Sequence, residues 1–216
     1  MSKSPSSHPV QVVSHPLVQD KLTRLRDAGT EHGEFRRHMA AIGYHLFYEA
    51  ARDMPTRTSV VKTPLERMEA PLLGSELVLV AVLRAGLGFL DGILPGFPEA
   101  RVGYLGLSRD PKSLEAHLYY QNVPMVKADD QVFMLDPMLA TGHTAISALE
   151  FLERAGARRI KLVCLVASPE GIEVVQNRFP HVTIYTAAID RALNAKGYIV
   201  PGLGDAGDRL YGTLGH

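Results

Sequence analysis

V-F-M-L-D-P-M-L-A-T-G-H-T-A, residues 132–145, runs from an apolar strand through an acid and a loop of small residues into a helix. Residues 132–135 have the length and apolarity of a strand buried on both faces, and residues 144–155 have the spacing of an amphipathic helix. Similar pairs flank this unit, at no fixed period that would mark a repeat protein. Strand-like 77–83 precedes helical 87–94, strand-like 102–107 follows, 160–166 precedes helical 172–179, and 182–186 ends the series. Such alternation predicts an α/β fold, a parallel sheet flanked by helices. In open sheets of this kind ligands collect beyond the carboxyl ends of the strands. The segments to search are therefore 84–88, 109–124, 136–144 and the chain after Thr186.

Upstream of the sheet, residues 1–14 read as a disordered tail and 15–216 as one domain. Leu17, Val18, Leu22 and Leu25 suit a short helix; Phe35, Met39, Ile42, Leu46, Phe47 and Ala50 suit a longer one, with Thr30, Gly33 and Glu34 at its start. Residues 58–73, broken by Pro64 and Pro71, predict an extended arm or small cap.

Lys plus Arg and Asp plus Glu both number 23, so no overall field exists to hold a nucleic acid or an anionic membrane surface. Arg84 interrupts the longest apolar run, residues 77–90, which stops short of the ~18 residues that span a bilayer. The Ser/Pro-rich start lacks an apolar signal core, so a cytoplasmic location is expected. The single cysteine, Cys164, lies in an apolar strand and reads as a buried thiol. Phosphate recognition, if present, must be local.

Residues 140–144 supply it. Unpaired amides at a helix N-terminus face an anion, the Thr141 and Thr144 hydroxyls add donors, and Gly142 permits close approach of the backbone. Asp136 would be repelled by that phosphate but suits the 2′- and 3′-hydroxyls of a ribose, so the combination asks for a ribose 5-phosphate. The chain has no Gly-Lys pair and hence no Walker loop. Residues 202–207 match G-x-G-x-x-G, yet only nine residues follow, too few for a dinucleotide fold. Metal-cage motifs are missing as well. His38 and His45, seven residues apart on one helix, stand roughly 10 Å apart and cannot share an ion.

Asp136-Pro-Met-Leu-Ala-Thr-Gly resembles the phosphoribosyl diphosphate loop of the type I phosphoribosyltransferases, in the form used by the uracil branch. V-L-R-A-G-L-G (82–88), S-R-D-P (108–111), V-A-S-P-E-G (166–171) and G-Y-I-V-P-G-L-G-D-A-G-D-R (197–209) resemble it in the same order. The likeness covers residues 15–216 and departs at His143 and Thr144, where the family has Gly and a small residue, and at Leu107-Ser108, where an aromatic is common.

The resemblance implies a type I fold with a small hood and an extended arm, and transfer of a phosphoribosyl group from 5-phospho-α-D-ribose 1-diphosphate (PRPP) to uracil, giving UMP and diphosphate. It implies PRPP contacts from Arg84, Arg109, Asp136, Pro137, Met138, Leu139, Ala140, Thr141, Gly142, His143, Thr144 and Asp205. Arg84, Arg109, Asp136 and Asp205 would act in catalysis. Ile199, Gly204, Asp205 and Ala206 would frame uracil. Mg²⁺ would arrive with the diphosphate, helped by Asp205 and more weakly by Asp208. A homodimer or larger homo-oligomer is implied, as is activation by GTP in some members. Two other readings compete: a non-catalytic regulator that keeps the loop, and a transferase for another nucleobase.

Overall fold

The computed structural model describes residues 10–109 and 116–213, with Arg109 and Ala116 described by backbone alone. In chain order these are β1 (Val10–Val12), α1 (Pro16–Arg26), α2 (His32–Ala50), β2 (Thr56–Lys62), β3 (Arg67–Leu73), β4 (Leu77–Leu83), α3 (Leu87–Ile93), β5 (Arg101–Arg109) and β6 (Ala116–Asn122). There follow β7 (Gln131–Leu135), β8 (Met138–Leu139), α4 (His143–Arg154), β9 (Arg159–Ala167), α5 (Pro169–Arg178), β10 (Thr183–Ile189), β11 (Ala192–Leu193), β12 (Ile199–Val200) and α6 (Ala206–Tyr211).

The main sheet has the order β1-β10-β9-β7-β4-β5-β6, with β8 on β9. Its strands pair in parallel except β6, which runs antiparallel to β5 at the edge. Near-continuous apolar strands such as L-V-L-V-A-V-L of β4 arise because helices cover both faces. Leu79, Ala81 and Phe133 pack with Phe35, Met39 and Phe47 of α2, while Val78, Val80 and Met134 pack with Leu149 and Leu152 of α4 and Val175 of α5. The Phe47 ring meets Phe133 edge-on, centroids 4.8 Å apart. Cys164 is fully buried in β9, and that burial pushes its thiol up to about 12, so it is inert at neutral pH.

Several expectations need correction. Val10–Val12 is not part of a tail, since it adds a parallel strand to β10; residues 1–9 lie outside the described residues. Segment 109–124 is not simply a loop, because Ala116–Asn122 forms the edge strand β6. Its partly exposed Tyr119 and Tyr120 show no run of buried residues to betray a strand. α2 starts one residue after Glu31, which makes no side-chain cap, rather than at a polar Thr30 cap. Leu17 is exposed, unlike Val18, Leu22 and Leu25. The arm is a two-stranded hairpin, Thr56–Lys62 against Arg67–Leu73.

Candidate active site

The chain runs from β4 outward to β5 and β6, then returns to β7 on the other side of β4. That reversal leaves a crevice at the carboxyl ends of two neighbouring strands, where ligands of open α/β sheets bind. Arg84 follows one strand and Asp136 the other. Gly86 makes the exit from β4 possible: a Cβ there would stand 2.5 Å from the Leu135 carbonyl oxygen and 2.6 Å from that of Val82. Neither backbone atom can easily move, so only glycine fits. The Arg84 side chain is 52% exposed, and its Nη2 donates to Asp208 Oδ1 at 3.0 Å. Asp208, expected as a minor helper for metal, is thus engaged by an arginine.

Beyond Asp136 the chain is bolted to β9 before it enters α4. The Leu165 and Val166 amides donate to the Pro137 carbonyl at 2.9 and 3.2 Å. Ser168 holds Leu139 and Ala140: its amide donates to the Leu139 carbonyl at 2.9 Å and its hydroxyl to the Ala140 carbonyl at 2.6 Å. The same hydroxyl accepts the Gly171 amide at 2.9 Å as the N-cap of α5. A Cβ on Gly171 would lie 2.2 Å from the Ala140 oxygen. V-A-S-P-E-G is therefore a brace behind the 136–144 loop. Gly142 caps α4 at φ +81° and offers no side-chain cap, which leaves the first-turn amides of a twelve-residue helix for an anion. Thr141 Oγ1 is buried and, among the described residues, has no hydrogen-bond partner. An unmade bond of this kind costs about 1–3 kcal/mol.

After β10 the chain folds into a hood. Asp190, its carboxylate side chain only 5% exposed, receives Arg26 through two bonds of 2.6 and 2.7 Å and the Gly202 amide at 2.8 Å. Arg26 also donates to the Gly202 carbonyl at 2.7 Å. Arg209 donates to the carbonyls of Leu25 at 2.5 Å, Asp27 at 2.5 Å and Leu203 at 2.9 Å, with its guanidinium 4.6 Å from the Phe35 ring centre. Two arginines thus pin the hood to the α1 end of the fold. Asp190→Ala should lower unfolding stability by about 3 kcal/mol, since it strands a partly buried guanidinium. Urea unfolding reads this directly, and an unchanged midpoint would remove the clamp from the account.

Hood, loop and sheet enclose a cleft with two lobes. One, about 480 Å³, is lined by residues 196–199 and 204–206 together with Ala140. The other, about 250 Å³, is lined by residues 82–85, Asp136 and Gly207. Leu107, Met138, Thr144, Asp205 and Ala206 line both, so the lobes share one wall. A family model described as uracil phosphoribosyltransferase matches residues 12–213. The chain belongs to the uracil phosphoribosyltransferase family. Proteins named uracil phosphoribosyltransferase from Variovorax paradoxus and Paracoccus denitrificans are 51% and 50% identical to it, each over 94% of this chain and 98% and 96% of their own lengths. The AQ2163 protein from Aquifex aeolicus superposes with a TM-score of 0.91 at 39% identity, covering 96% of this chain and all of that one. A hypoxanthine-guanine phosphoribosyltransferase from Bacillus anthracis, 13% identical with a TM-score of 0.51 over 74% of this chain, shares the fold.

Of the residues that resemblance to the uracil phosphoribosyltransferases implicates, Arg84, Asp136, Met138, Ala140, Thr144, Ile199, Gly204, Asp205 and Ala206 meet in this cleft. Pro137, Leu139 and Gly142 are buried behind it, and His143 is exposed at the head of α4. The Arg109 side chain lies outside the described residues. Asp205 is exposed, and its Oδ1 already accepts the Asp208 amide at 2.9 Å as the N-cap of α6. Sequence reading missed Lys196, Tyr198 and Leu107 in the walls, and the Arg26–Asp190 clamp. A lone arginine at the end of one helix and an acid 164 residues later give no local signal of pairing.

Proposed function

We infer that the smaller lobe and the adjoining loop hold PRPP, that the larger lobe holds uracil, and that the cleft joins them to UMP with release of diphosphate. The carrying observation is the shared wall. Leu107, Met138, Thr144, Asp205 and Ala206 border both lobes, so the ribose C1 of a sugar phosphate seated along residues 136–144 would stand where the base arrives.

In this reading the α4 first-turn amides and Thr141 and Thr144 hold the 5-phosphate, which would give the buried Thr141 hydroxyl the acceptor it otherwise lacks. Asp136 accepts from the ribose hydroxyls. Arg84 and Arg109 take the diphosphate, stabilising its oxygens as the C1–O bond breaks and N1 of uracil attacks from the opposite face, the N1 proton passing to the departing diphosphate. Phosphoribosyltransferases generally use Mg²⁺ with PRPP, and the donor set here suits it. Asp205 brings a hard carboxylate to the wall that both lobes share, fitting an ion that keeps waters and takes its further ligands from substrate phosphate. When bound, that ion would neutralise charge on the leaving oxygens. Asp205 is the residue proposed to approach it.

A homo-oligomer has a candidate surface in the β2–β3 hairpin, where Val60, Met68, Leu72 and Leu73 are exposed and Leu65 is 96% exposed. Formation of UMP from uracil and PRPP by the purified chain tests the central reading, and GTP added to the same assay tests activation. A chain that binds PRPP but makes no nucleotide from any base would be a sensor instead. His143→Gly should leave activity within about tenfold, ~1.4 kcal/mol, because the loop binds through backbone amides that the change retains. A much larger rise in KM for PRPP would show that the imidazole itself meets the phosphate.

A further inference from the structure

Arg84 sits on a second residue network that substrate contacts do not require. Asp208 Oδ1 accepts from Arg84 Nη2 at 3.0 Å and from the Thr213 hydroxyl at 2.6 Å, and the Asp208 amide donates to Asp205 Oδ1 at 2.9 Å. The Tyr211 hydroxyl donates to the Arg84 carbonyl at 3.3 Å, and the guanidinium lies 5.8 Å from that ring's centre. Burial, aided by the Asp91 carboxylate, pushes the phenol above its ordinary range, so it stays protonated and able to donate. Gly207 lies beside the guanidinium, the position of a Cβ there being 3.6 Å from Arg84 Nη2, an ordinary contact distance. One short stretch, residues 205–213, therefore both closes the base lobe and grips the arginine of the other lobe.

We propose that Asp208 is a positioning residue for the transfer reaction, fixing the Arg84 guanidinium toward the leaving diphosphate and tying its placement to the hood segment that meets the base. This rests on the PRPP and uracil assignment above. An unanchored arginine keeps rotamers that must be frozen at the moment charge develops on the leaving group, so its loss of anchor falls on the transition state. In the ground state two effects oppose each other. Removing Asp208 frees Arg84, which weakens PRPP binding, and deletes a carboxylate near an anionic substrate, which strengthens it.

The test uses the full chain as wild type, Asp208→Asn, Asp208→Ala, Arg84→Ala and the two double variants, with kcat and both KM values measured. Asp208→Asn, which keeps an acceptor oxygen and spares the fold, should lower kcat by about tenfold while KM for PRPP moves less than about threefold and KM for uracil stays near wild type. In the Arg84→Ala background the same change should cost nothing further in kcat, because the residue it positions is gone. An equal kcat loss in both backgrounds, or a loss confined to KM for uracil, would overturn the proposal and leave Asp208 a structural part of α6. A higher kcat in Asp208→Asn would overturn it in the other direction, making the ion pair a brake. Absence of UMP formation by the wild type would sink the assignment of substrates instead, a different result from any of these.

Discussion

Asp136→Asn should reduce kcat/KM for PRPP by on the order of a thousandfold, ~4 kcal/mol, while leaving uracil binding and the fold nearly intact. A carboxylate offers two acceptor oxygens to two adjacent ribose hydroxyls; an amide offers one, and presents an N–H to the other. Charged acceptors make hydrogen bonds roughly twice as strong as neutral ones, so both bonds are weakened. The residue is held well enough for this to matter: its amide donates to the Val163 carbonyl at 3.1 Å, and the residue after it is bolted to β9. As the ring flattens on losing diphosphate its hydroxyls become better donors, and kcat should fall together with kcat/KM rather than KM alone rising. Steady-state kinetics with saturating uracil read the split. Kinetics within tenfold of wild type would place the ribose elsewhere.

The order of strands and helices was legible because buried parallel strands write themselves as apolar runs, and β4, β7 and β9 are buried almost end to end. β6 was not, since an edge strand exposes polar and aromatic side chains that read as loop. β1 was hidden for the opposite reason. Three residues carry too little pattern to be seen, and what makes Val10–Val12 a strand is the open edge of β10, a partner 174 residues away in register. In the same way the 136–144 loop was legible as local chemistry, while its support was not. Ser168 stands in the quoted V-A-S-P-E-G motif with no local sign of what it holds, and only the fold brings its hydroxyl to the Ala140 carbonyl. Sequence reading makes Asp208 a minor helper for Mg²⁺, whereas its meeting with Arg84 depends on how α6 closes over the end of β4. Residues that bind tend to be written in contiguous motifs; residues that hold those motifs in place are contributed by distant chain.

Cytosine should be rejected relative to uracil by ~10⁴ or more in kcat/KM, the scale on which sites built to hydrogen-bond a substrate edge turn away an analogue that mispairs there. The hood offers few side chains for the task. Ile199 is buried and apolar, Ala206 is a methyl, and Gly204 at φ +78° has no side chain, so these three positions can offer the edge of the base only peptide groups. The backbone beside those groups is held firmly: Gly202 and Leu203 are clamped through Asp190, Arg26 and Arg209, and α6 begins at Ala206 under an Asp205 cap. Uracil shows O2 acceptor, N3–H donor and O4 acceptor along one edge, which a fixed amide, carbonyl, amide row can satisfy. Cytosine reverses the second and third. Its N3 would face a carbonyl and its amino group an N–H, leaving buried groups unpaired at about 1–3 kcal/mol each, and a clamped hood cannot turn to relieve them. 5-Fluorouracil keeps the same edge and should be a substrate. Competition kinetics with the three bases decide the matter: cytosine turnover within tenfold of uracil would mean that side chains such as Lys196 or Tyr198, and not the peptide row, select the base.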